Sequence, residues 1–403
     1  MVFLSKLSAY ASSPIREDDI IASKLAKEGN KVIKLNSGDP ARYINTPKRV
    51  IKAYIEALKR NENYYSNSQG IEPLRQAIAA RHKKIYGLDA GPEKIVVTQG
   101  ISEGLQFLNT ALIDKGDKAI LIRPYYPSYI SYLQIVGGKA IFADAIEESN
   151  WNIDLDTLAK KVKNEKRIKY MLITNPNNPA GYIISRKKLK EIVEFANEHD
   201  LFIISDEIYD ELVYRGSFTS ISQVAGDMPY MILNGMSKNF VATGFRLGYM
   251  LVPNEDEKSK ALLGKLIELA QMRLSPNTPA QFAYAEGLSN LSAHNREVSK
   301  LRALLKERLY FATKKVNESE YMHALQPSSA FYVFPKLEMQ KLEFKSDKDF
   351  VRSLLIEKYI QVTRGSGFGM PGHFRIVALP SKKVLGEAIE KIDDFCKEHS
   401  VNR

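Results

Sequence analysis

Four polar segments of the sequence follow apolar stretches, and each carries a side chain that can do chemistry. Asn178 lies in an Asn-Pro-Asn-Asn-Pro turn, Asp206 and Tyr209 follow the next apolar run, Lys238 follows a third, and Arg246 comes shortly after it. Taken singly, these residues are typical of a turn, a helix cap and a solvated loop. Taken together they supply an amide, a carboxylate, a phenol, an amine and a guanidinium, a polar constellation that solubility does not require.

A fifth segment could bind an anion. Gly100, Ile101 and Ser102 follow an apolar run that ends at Thr98, and a helical pattern starts at Glu103. Backbone N–H groups at the start of a helix carry partial positive charge, so such a turn suits a phosphate or a carboxylate. The simpler alternative is that Ser102 only caps the helix.

The periodicity of the chain predicts the sheet that would bring these segments together. Short β-branched or apolar runs are typical of buried strands, and seven of them occur, at 94–98, 118–122, 139–142, 169–174, 201–205, 230–234 and 247–252. Helical patterns lie between several of them, at 72–85, 103–112 and 185–198. This alternation predicts an α/β fold with a mostly parallel, seven-stranded mixed sheet sandwiched by helices. Sheets of this kind bind ligands at the carboxyl ends of their strands.

The hydrophobic pattern of the sequence changes after about residue 255. Long amphipathic stretches occupy 256–271 and 278–316, strands are predicted at 331–335 and 360–363, and a last helix is predicted at 382–398. We therefore expect three parts. Residues 1–46 are an N-terminal segment that joins the small domain, residues 47–290 form a large domain, and residues 291–403 form a smaller α+β C-terminal domain.

The composition excludes several classes of protein. The chain has 403 residues, of which 44% are hydrophobic and 26% charged, so disorder, collagen and coiled coil are excluded as descriptions of the whole. No apolar run approaches the roughly 20 residues of a membrane helix, and no signal peptide is apparent. Cys396 is the single cysteine, so no internal disulfide can form. We expect a cytoplasmic protein with no membrane partner.

The net charge of +11 does not predict a nucleic-acid partner. Basic residues are interspersed with acidic ones, and no block of five or six like charges occurs. A positive field that attracts small anionic substrates is the better interpretation. The six histidines lie far apart, with no pair at metal-ligand spacing, so we expect no metal.

The segment 234–250, NGMSKNFVATGFRLGYM, resembles the lysine segment of the class I aminotransferases, which are pyridoxal 5′-phosphate (PLP) enzymes of fold type I. Residues 178–181 and 205–209 match the same family in order and spacing, and the resemblance extends over about 35–380. The motifs LNSGDP at 35–40, NYYS at 63–66 and NPNNPAG at 175–181 are most similar to the alanine aminotransferase branch.

The resemblance implies how PLP would be held and used. Lys238 would bind the cofactor covalently and then act as the base that moves the substrate's Cα proton, which requires a neutral amine and hence a lowered pKa. Asp206 would pair with the pyridine nitrogen, and Asn178 and Tyr209 would hydrogen-bond the phenolic oxygen. Tyr126 matches the aromatic residue that stacks on the ring.

The resemblance also implies a phosphate site. Ile101 and Ser102 would bind the phosphate at the start of their helix, Arg246 would be its cation, and Ser237 would add a hydroxyl. Many relatives have a serine where this chain has Gly235.

Three more residues carry over from the family. Tyr65 matches a tyrosine that reaches the phosphate in the neighbouring subunit, which implies a homodimer with shared active sites. Arg375 matches the residue that binds the substrate α-carboxylate as a bidentate cation, and the main chain of Gly38 would come near the same carboxylate, as would Asn178.

The resemblance therefore implies an aminotransferase that moves the amino group of an L-amino acid to a 2-oxo acid by a ping-pong mechanism. Alanine is the favoured donor and 2-oxoglutarate the expected acceptor, with aspartate or an aromatic amino acid as the alternative donor. A β-eliminating PLP lyase on the same fold would share all of these residues. A non-enzymatic regulator or nucleic-acid binder is disfavoured by the intact Lys238, Asp206 and Arg375.

Overall fold

A central eight-stranded sheet is the largest element of the protein, whose computed structural model describes residues 4–401. In chain order the strands are β1 Ile33–Lys34, β2 Ile95–Thr98, β3 Lys118–Arg123, β4 Lys139–Ile146, β5 Asn152–Ile153, β6 Ile168–Thr174, β7 Phe202–Asp206, β8 Tyr230–Gly235, β9 Gly248–Leu251, β10 Met322–His323, β11 Tyr332–Val333, β12 Lys336–Leu337, β13 Ile360–Gln361, β14 Thr363–Arg364 and β15 Phe374–Val377. The central sheet has the order β2-β9-β8-β7-β6-β3-β4-β5. Strands β8, β7, β6, β3 and β4 are parallel, whereas β9 is antiparallel to both of its neighbours.

Helices cover both faces of this sheet, and others lie outside it. In chain order the helices are α1 Asp19–Lys27, α2 Lys48–Lys59, α3 Glu72–Tyr86, α4 Ile101–Leu112, α5 Ser128–Ile135, α6 Leu155–Val162, α7 Arg186–Glu198, α8 Glu257–Arg273, α9 Thr278–Ser289, α10 Leu291–Val316, α11 Asp347–Lys358 and α12 Lys382–Glu398. Side chains of a strand alternate between faces, so Met171 and Ile173 of β6 pack in one core with α3, α7 and α9. Tyr170 and Leu172 pack on the other face with α4, α5 and α8. The predicted α/β fold class is confirmed.

The eighth strand of the sheet is absent from the sequence-based prediction. Strand β5 has two residues, and it pairs antiparallel with the end of β4 through the Ala145–Ile153 and Ile146–Asn152 pairs. A two-residue strand with one polar position has no period-two pattern, so the prediction of seven strands was one short.

The predicted amphipathic stretch at 278–316 is two helices. Asn290 ends α9 and begins α10, where its side chain accepts a hydrogen bond of 2.9 Å from the Ala293 N–H. A residue that caps a new helix interrupts the old one because its own backbone is not helical. Helix α9 is buried on most sides rather than amphipathic, since it packs between α2 and α3.

A second hydrophobic core lies around the C-terminal elements. Ile33 and Leu35 of the N-terminal segment pack in it with residues of α11, α12 and the second half of α10. The first half of α10 instead contacts the segments that follow β7 and β8, where His294 is 2.8 Å from Glu211 and stacks on Phe240. The division at 46 and 290 stays a prediction, and residues 1–3 and 402–403 of its outer parts lie outside the described residues. Within 4–401, no helix is long and apolar enough to cross a membrane.

Candidate active site

The predicted chemistry-bearing segments meet at one edge of the central sheet. Thr174, Asp206 and Leu233 lie side by side at the carboxyl ends of β6, β7 and β8. Strand β9 runs the opposite way and starts at this edge, because Gly248 pairs with Gly235. Lys238 therefore enters the site just after β8, and Arg246 enters it just before β9.

A cavity of about 730 Å³ occupies this edge. Its lining contains every predicted site residue except one, namely Gly38, Ile101, Ser102, Tyr126, Asn178, Asp206, Tyr209, Ser237, Lys238, Arg246 and Arg375. The exception is Tyr65, which is 79% exposed on the surface of its own chain. The exposed position of Tyr65 leaves it free to contact another molecule.

Lys238 is partly buried and lines the cavity. Its Nζ donates a hydrogen bond of 2.7 Å to the carbonyl oxygen of Gly38. Burial lowers the pKa of Lys238 to about 8; Asp39 opposes the shift, and Arg375 and Arg246 add to it. A large fraction of this amine is therefore neutral near pH 8, the form that a nucleophile or base requires.

Asp206 is buried beside Lys238 at the end of β7. Burial raises the pKa of its carboxyl to about 6, although hydrogen bonds from the Tyr129 hydroxyl and the Ile208 N–H lower it. The Tyr129 hydroxyl is 2.6 Å from Asp206 Oδ2 and accepts a hydrogen bond of 2.9 Å from Thr174. The sequence prediction missed Tyr129, and nothing in its local sequence distinguishes it from the other tyrosines of that segment.

Arg375 lies within β15 and is buried, with 1% of its surface exposed. Its guanidinium carbon is 4.5 Å from the centre of the Tyr332 ring and 4.8 Å from that of Phe368. Nη1 donates to Asn178 Oδ1 at 2.8 Å, and Nη2 donates to a backbone carbonyl, whereas Nε has no hydrogen-bond partner among the described residues. A buried guanidinium whose N–H groups are not all hydrogen-bonded can donate to a carboxylate bound in the cavity.

Tyr209 lines the same cavity as Arg375. Its hydroxyl is 2.7 Å from the hydroxyl of Tyr332, another residue that the sequence prediction missed. Burial and the neighbouring Tyr332 raise the pKa of Tyr209 well above its usual value, so this phenol is protonated and can donate.

One end of the cavity is built for an anion. Helix α4 begins at Ile101, and the preceding Gly100 has φ 73°. A Cβ on Gly100 would collide with Nη2 of Arg246, so glycine lets the guanidinium lie against the start of the helix. Ser102 and Ser237 also line the cavity here. Helix N–H groups, hydroxyls and a cation together suit a phosphate.

Gly235 lies where β8 and β9 approach too closely for a side chain. A Cβ at this position would lie 2.6 Å from the carbonyl oxygen of Leu247 and 2.7 Å from Gly248 Cα. The two glycines thus allow β8 and β9 to approach closely beside Arg246.

The cavity fits PLP. Its anion-binding end would take the phosphate, Asp206 supplies a buried carboxylate for a protonated ring nitrogen, and Lys238 supplies an amine of lowered pKa for the aldehyde. Tyr126 provides an aromatic wall and packs edge-on against Tyr129, with ring centres 5.5 Å apart.

The mouth of the cavity carries charges that the site prediction did not include. Asp39 lines it and accepts hydrogen bonds from Thr243 and Arg42. The side chains of Arg16 and Arg42 also line the mouth, and each is more than two-thirds exposed. Both guanidinium groups can therefore reach a ligand that extends out of the cavity.

Comparisons with known proteins agree with this geometry. Residues 30–392 match the family model described as aminotransferase class I and II. The chain is similar to the glutamate-pyruvate aminotransferase AlaA of Haemophilus influenzae, with 33% identity over 94% of both chains. It is 30% identical to the aspartate aminotransferase of Bacillus subtilis over 99% of this chain and 100% of that one. The solved structure of the alanine aminotransferase from Pyrococcus furiosus superposes with a TM-score of 0.94 at 38% identity, covering 98% of this chain and 100% of that one.

Proposed function

The chain belongs to the class I and II aminotransferase family, and we propose that it uses PLP to move the amino group of an L-amino acid, alanine favoured, to 2-oxoglutarate in a ping-pong reaction. The observation that carries the proposal is that Lys238, Asp206 and Arg375 line one cavity and lie close enough for the charges of Asp206 and Arg375 to shift the pKa of Lys238. In this proposal Asp206 faces the cofactor ring and Arg375 faces the substrate carboxylate. We propose that the reaction takes place in the cytoplasm.

Each residue of the site has a defined task in this proposal. PLP supplies, when bound, a ring that accepts the electron pair left when the substrate Cα–H bond breaks. Lys238 would hold the cofactor covalently until the substrate amine displaces it, and its freed Nζ would then move the substrate's Cα proton to C4′ of the cofactor. Asp206 keeps a proton on the ring nitrogen, and Tyr126 covers the ring face.

The remaining residues hold the two reacting molecules in register. Arg246, the α4 N–H groups, Ser102 and Ser237 bind the phosphate. Asn178 and Tyr209 donate hydrogen bonds to the cofactor's phenolic oxygen. Arg375 binds the substrate α-carboxylate, and the main chain of Gly38 comes near the same carboxylate. Holding the Cα–H bond near a neutral amine lowers the entropic part of the barrier.

The proposal includes a homodimer in which Tyr65 completes the partner's phosphate site. The exposure of Tyr65 and its position outside its own cavity support this arrangement. Exposed apolar side chains support it as well, at Tyr64, Met272 and Leu274, because residues 64–68 and 273–278 are hydrogen-bonded to each other.

Aspartate is the second candidate donor, and a specific feature favours it. Arg16 and Arg42 at the mouth of the cavity can pair with a second carboxylate, which aspartate and 2-oxoglutarate have and alanine lacks. The 30% identity to the aspartate aminotransferase of Bacillus subtilis agrees with this alternative.

The proposal is tested by a screen of half-reactions with individual amino acids, followed through the cofactor's absorbance. We expect alanine and glutamate to convert the bound cofactor and 2-oxoglutarate to restore it. Conversion by aspartate in preference to alanine would replace the favoured donor. Release of ammonia and pyruvate without a new amino acid would identify a β-eliminating lyase and contradict the proposal.

A further inference from the structure

Tyr332 contacts both halves of the site, although no motif in the sequence marks it. It lies in β11 and is buried, and β11 pairs antiparallel with β15, so that Tyr332 is opposite Val377. Its hydroxyl is 2.7 Å from the Tyr209 hydroxyl, and its ring lies under the Arg375 guanidinium at 4.5 Å. One side chain thus contacts the phenol proposed for the cofactor and the cation proposed for the substrate.

The surrounding backbone makes room for this arrangement. A Cβ at Gly38 would overlap the Tyr332 hydroxyl, so the position of Tyr332 requires glycine there. The carbonyl oxygen of the same Gly38 accepts the hydrogen bond from Lys238. Tyr332 is therefore packed against the segment that holds the reactive amine.

The direction of the bond between the two tyrosines follows from a count of protons. A phenol has one O–H proton. If Tyr209 donates its proton to the cofactor's phenolic oxygen, the proton between the two tyrosines must come from Tyr332. Burial raises the pKa of Tyr332, and the Arg375 charge opposes this shift because a cation stabilises the phenolate. A phenol beside a cation is therefore a better hydrogen-bond donor.

We propose that Tyr332 is a positioning residue of the aminotransferase reaction, an inference that rests on the proposed function. Its ring supports the guanidinium that binds the substrate carboxylate, and its hydroxyl donates to Tyr209. Tyr209 is thereby a stronger donor to the cofactor's phenolic oxygen. The same side chain therefore contributes both to binding the substrate carboxylate and to hydrogen bonding of the cofactor's phenolic oxygen.

The first test is a pH titration of the visible absorbance of the PLP-loaded protein. Tyr332→Phe keeps the ring and removes the hydroxyl. We expect the midpoint to rise by about half to one pH unit, because Tyr209 loses its donor and binds the cofactor's oxygen less strongly. In a Tyr209→Phe background the same substitution should cause no further shift. An unchanged midpoint would overturn the proposal, because a purely structural role would leave it unmoved. An equal shift in both backgrounds would overturn it too, because Tyr332 would then not act through Tyr209.

The second test measures the dissociation constant of propionate, which has a carboxylate but no amino group to react. Tyr332→Leu removes the ring and should weaken propionate binding by about three- to tenfold, whereas Tyr332→Phe should bind within about twofold of the unchanged protein. Phe368→Leu removes the ring on the other face of Arg375 and serves as a second variant if Tyr332→Leu does not fold. Full propionate affinity in the folded leucine variants would overturn the supporting role of the ring.

The outcome separates this inference from the proposed function. If the unchanged protein takes up no PLP chromophore, the proposed function fails. If it takes up PLP and reacts with amino acids but Tyr332→Phe leaves the midpoint unaltered, only the role of Tyr332 fails.

Discussion

Lys238 Nζ donates a hydrogen bond to the carbonyl oxygen of Gly38, 2.7 Å away, although 200 residues separate the two along the chain. Lys238 follows the central strand β8, whereas Gly38 belongs to the segment that follows β1 at the other core. The bond holds the amine in a defined position within the cavity. Elements of both cores thus position the lysine that we propose to react, which is a geometric condition for precise proton transfer.

The first prediction concerns the identity of the covalently bound lysine. Borohydride reduction of the PLP-loaded protein followed by peptide mapping should label Lys238, because it lines the cavity and has a lowered pKa. Lys238→Ala should abolish the label and the activity while the protein stays folded. Lys258→Ala, which removes an exposed lysine paired with Asp200, should change neither. A label on another lysine would contradict the central assignment.

The second prediction concerns the pH dependence of cofactor capture. The neutral amine attacks the aldehyde, so the rate of covalent capture by the cofactor-free protein should rise with pH around a midpoint near 8 rather than 10.5. The charge of Asp39 raises the pKa of Lys238, so Asp39→Asn should move the midpoint to lower pH. The control, Asp89→Asn, removes an exposed carboxylate paired with Lys83. Stopped-flow absorbance gives the rates, and a midpoint above pH 10 would contradict the burial of the amine.

Much of this site could be predicted from the sequence because its residues follow recognisable strands. The runs that form β6, β7 and β8 are apolar and β-branched, and the parallel arrangement then brings their ends to one edge. The sequence alone therefore predicts that Asn178, Asp206 and Lys238 lie together.

Other parts could not be predicted because their signals are not local. The chain has 21 tyrosines, and only the fold reveals that Tyr129 reaches Asp206 and that Tyr332 reaches Tyr209. Arg375 alone is typical of a surface residue, yet the Tyr332 and Phe368 rings enclose it once β11 pairs with β15. Long-range pairing decides such contacts, and a single sequence does not show it.

The third prediction concerns stability in the absence of cofactor. Burial raises the pKa of Asp206 from 3.8 to about 6, so the folded protein binds a proton that the unfolded chain releases between these values. The contribution of Asp206 to the free energy of unfolding is therefore largest below pH 4 and is lost as the pH rises to 6. The loss is about 3 kcal/mol.

Urea unfolding of the cofactor-free protein measures this effect. Asp206→Asn cannot ionise, so its stability relative to the unchanged protein should increase between pH 4 and pH 6 and stay constant above. Asp200→Asn, at an exposed position, is the matched control. A difference between Asp206→Asn and the unchanged protein that does not vary with pH would show that Asp206 is not desolvated.

The fourth prediction concerns the shared site. Mixing inactive Lys238→Ala chains with Tyr65→Ala chains should give hybrid dimers in which one site has both residues intact. Activity should return on subunit exchange to about a quarter of that of the unchanged protein, because half of the dimers are hybrids with one working site of two. Tyr64→Ala in place of Tyr65→Ala should be nearly fully active before mixing, since Tyr64 is the exposed neighbour. A fully active monomer in light scattering would rule out sharing.

The last prediction separates the two arginines of the cavity. Arg375 is enclosed by two rings and bonded to Asn178, whereas Arg246 lies at the start of α4 and donates to the Thr243 carbonyl. A guanidinium that faces a carboxylate makes two parallel charge-assisted hydrogen bonds, each worth about 1.5–3 kcal/mol. Lysine keeps the positive charge but cannot make the two parallel hydrogen bonds.

Arg375→Lys should therefore bind PLP with a normal absorbance spectrum, while its kcat/KM for amino acids falls about a hundredfold or more, since each 1.4 kcal/mol is about tenfold. The loss in kcat/KM should be much smaller for amines that lack the α-carboxylate, because these make no hydrogen bonds to the Arg375 guanidinium. Arg246→Lys should do the opposite and weaken PLP retention first, as measured by dialysis and reconstitution. If Arg375→Lys lost the cofactor and kept its amino-acid kinetics, the assignment of the two arginines would be wrong, and the site would not select α-amino acids through Arg375.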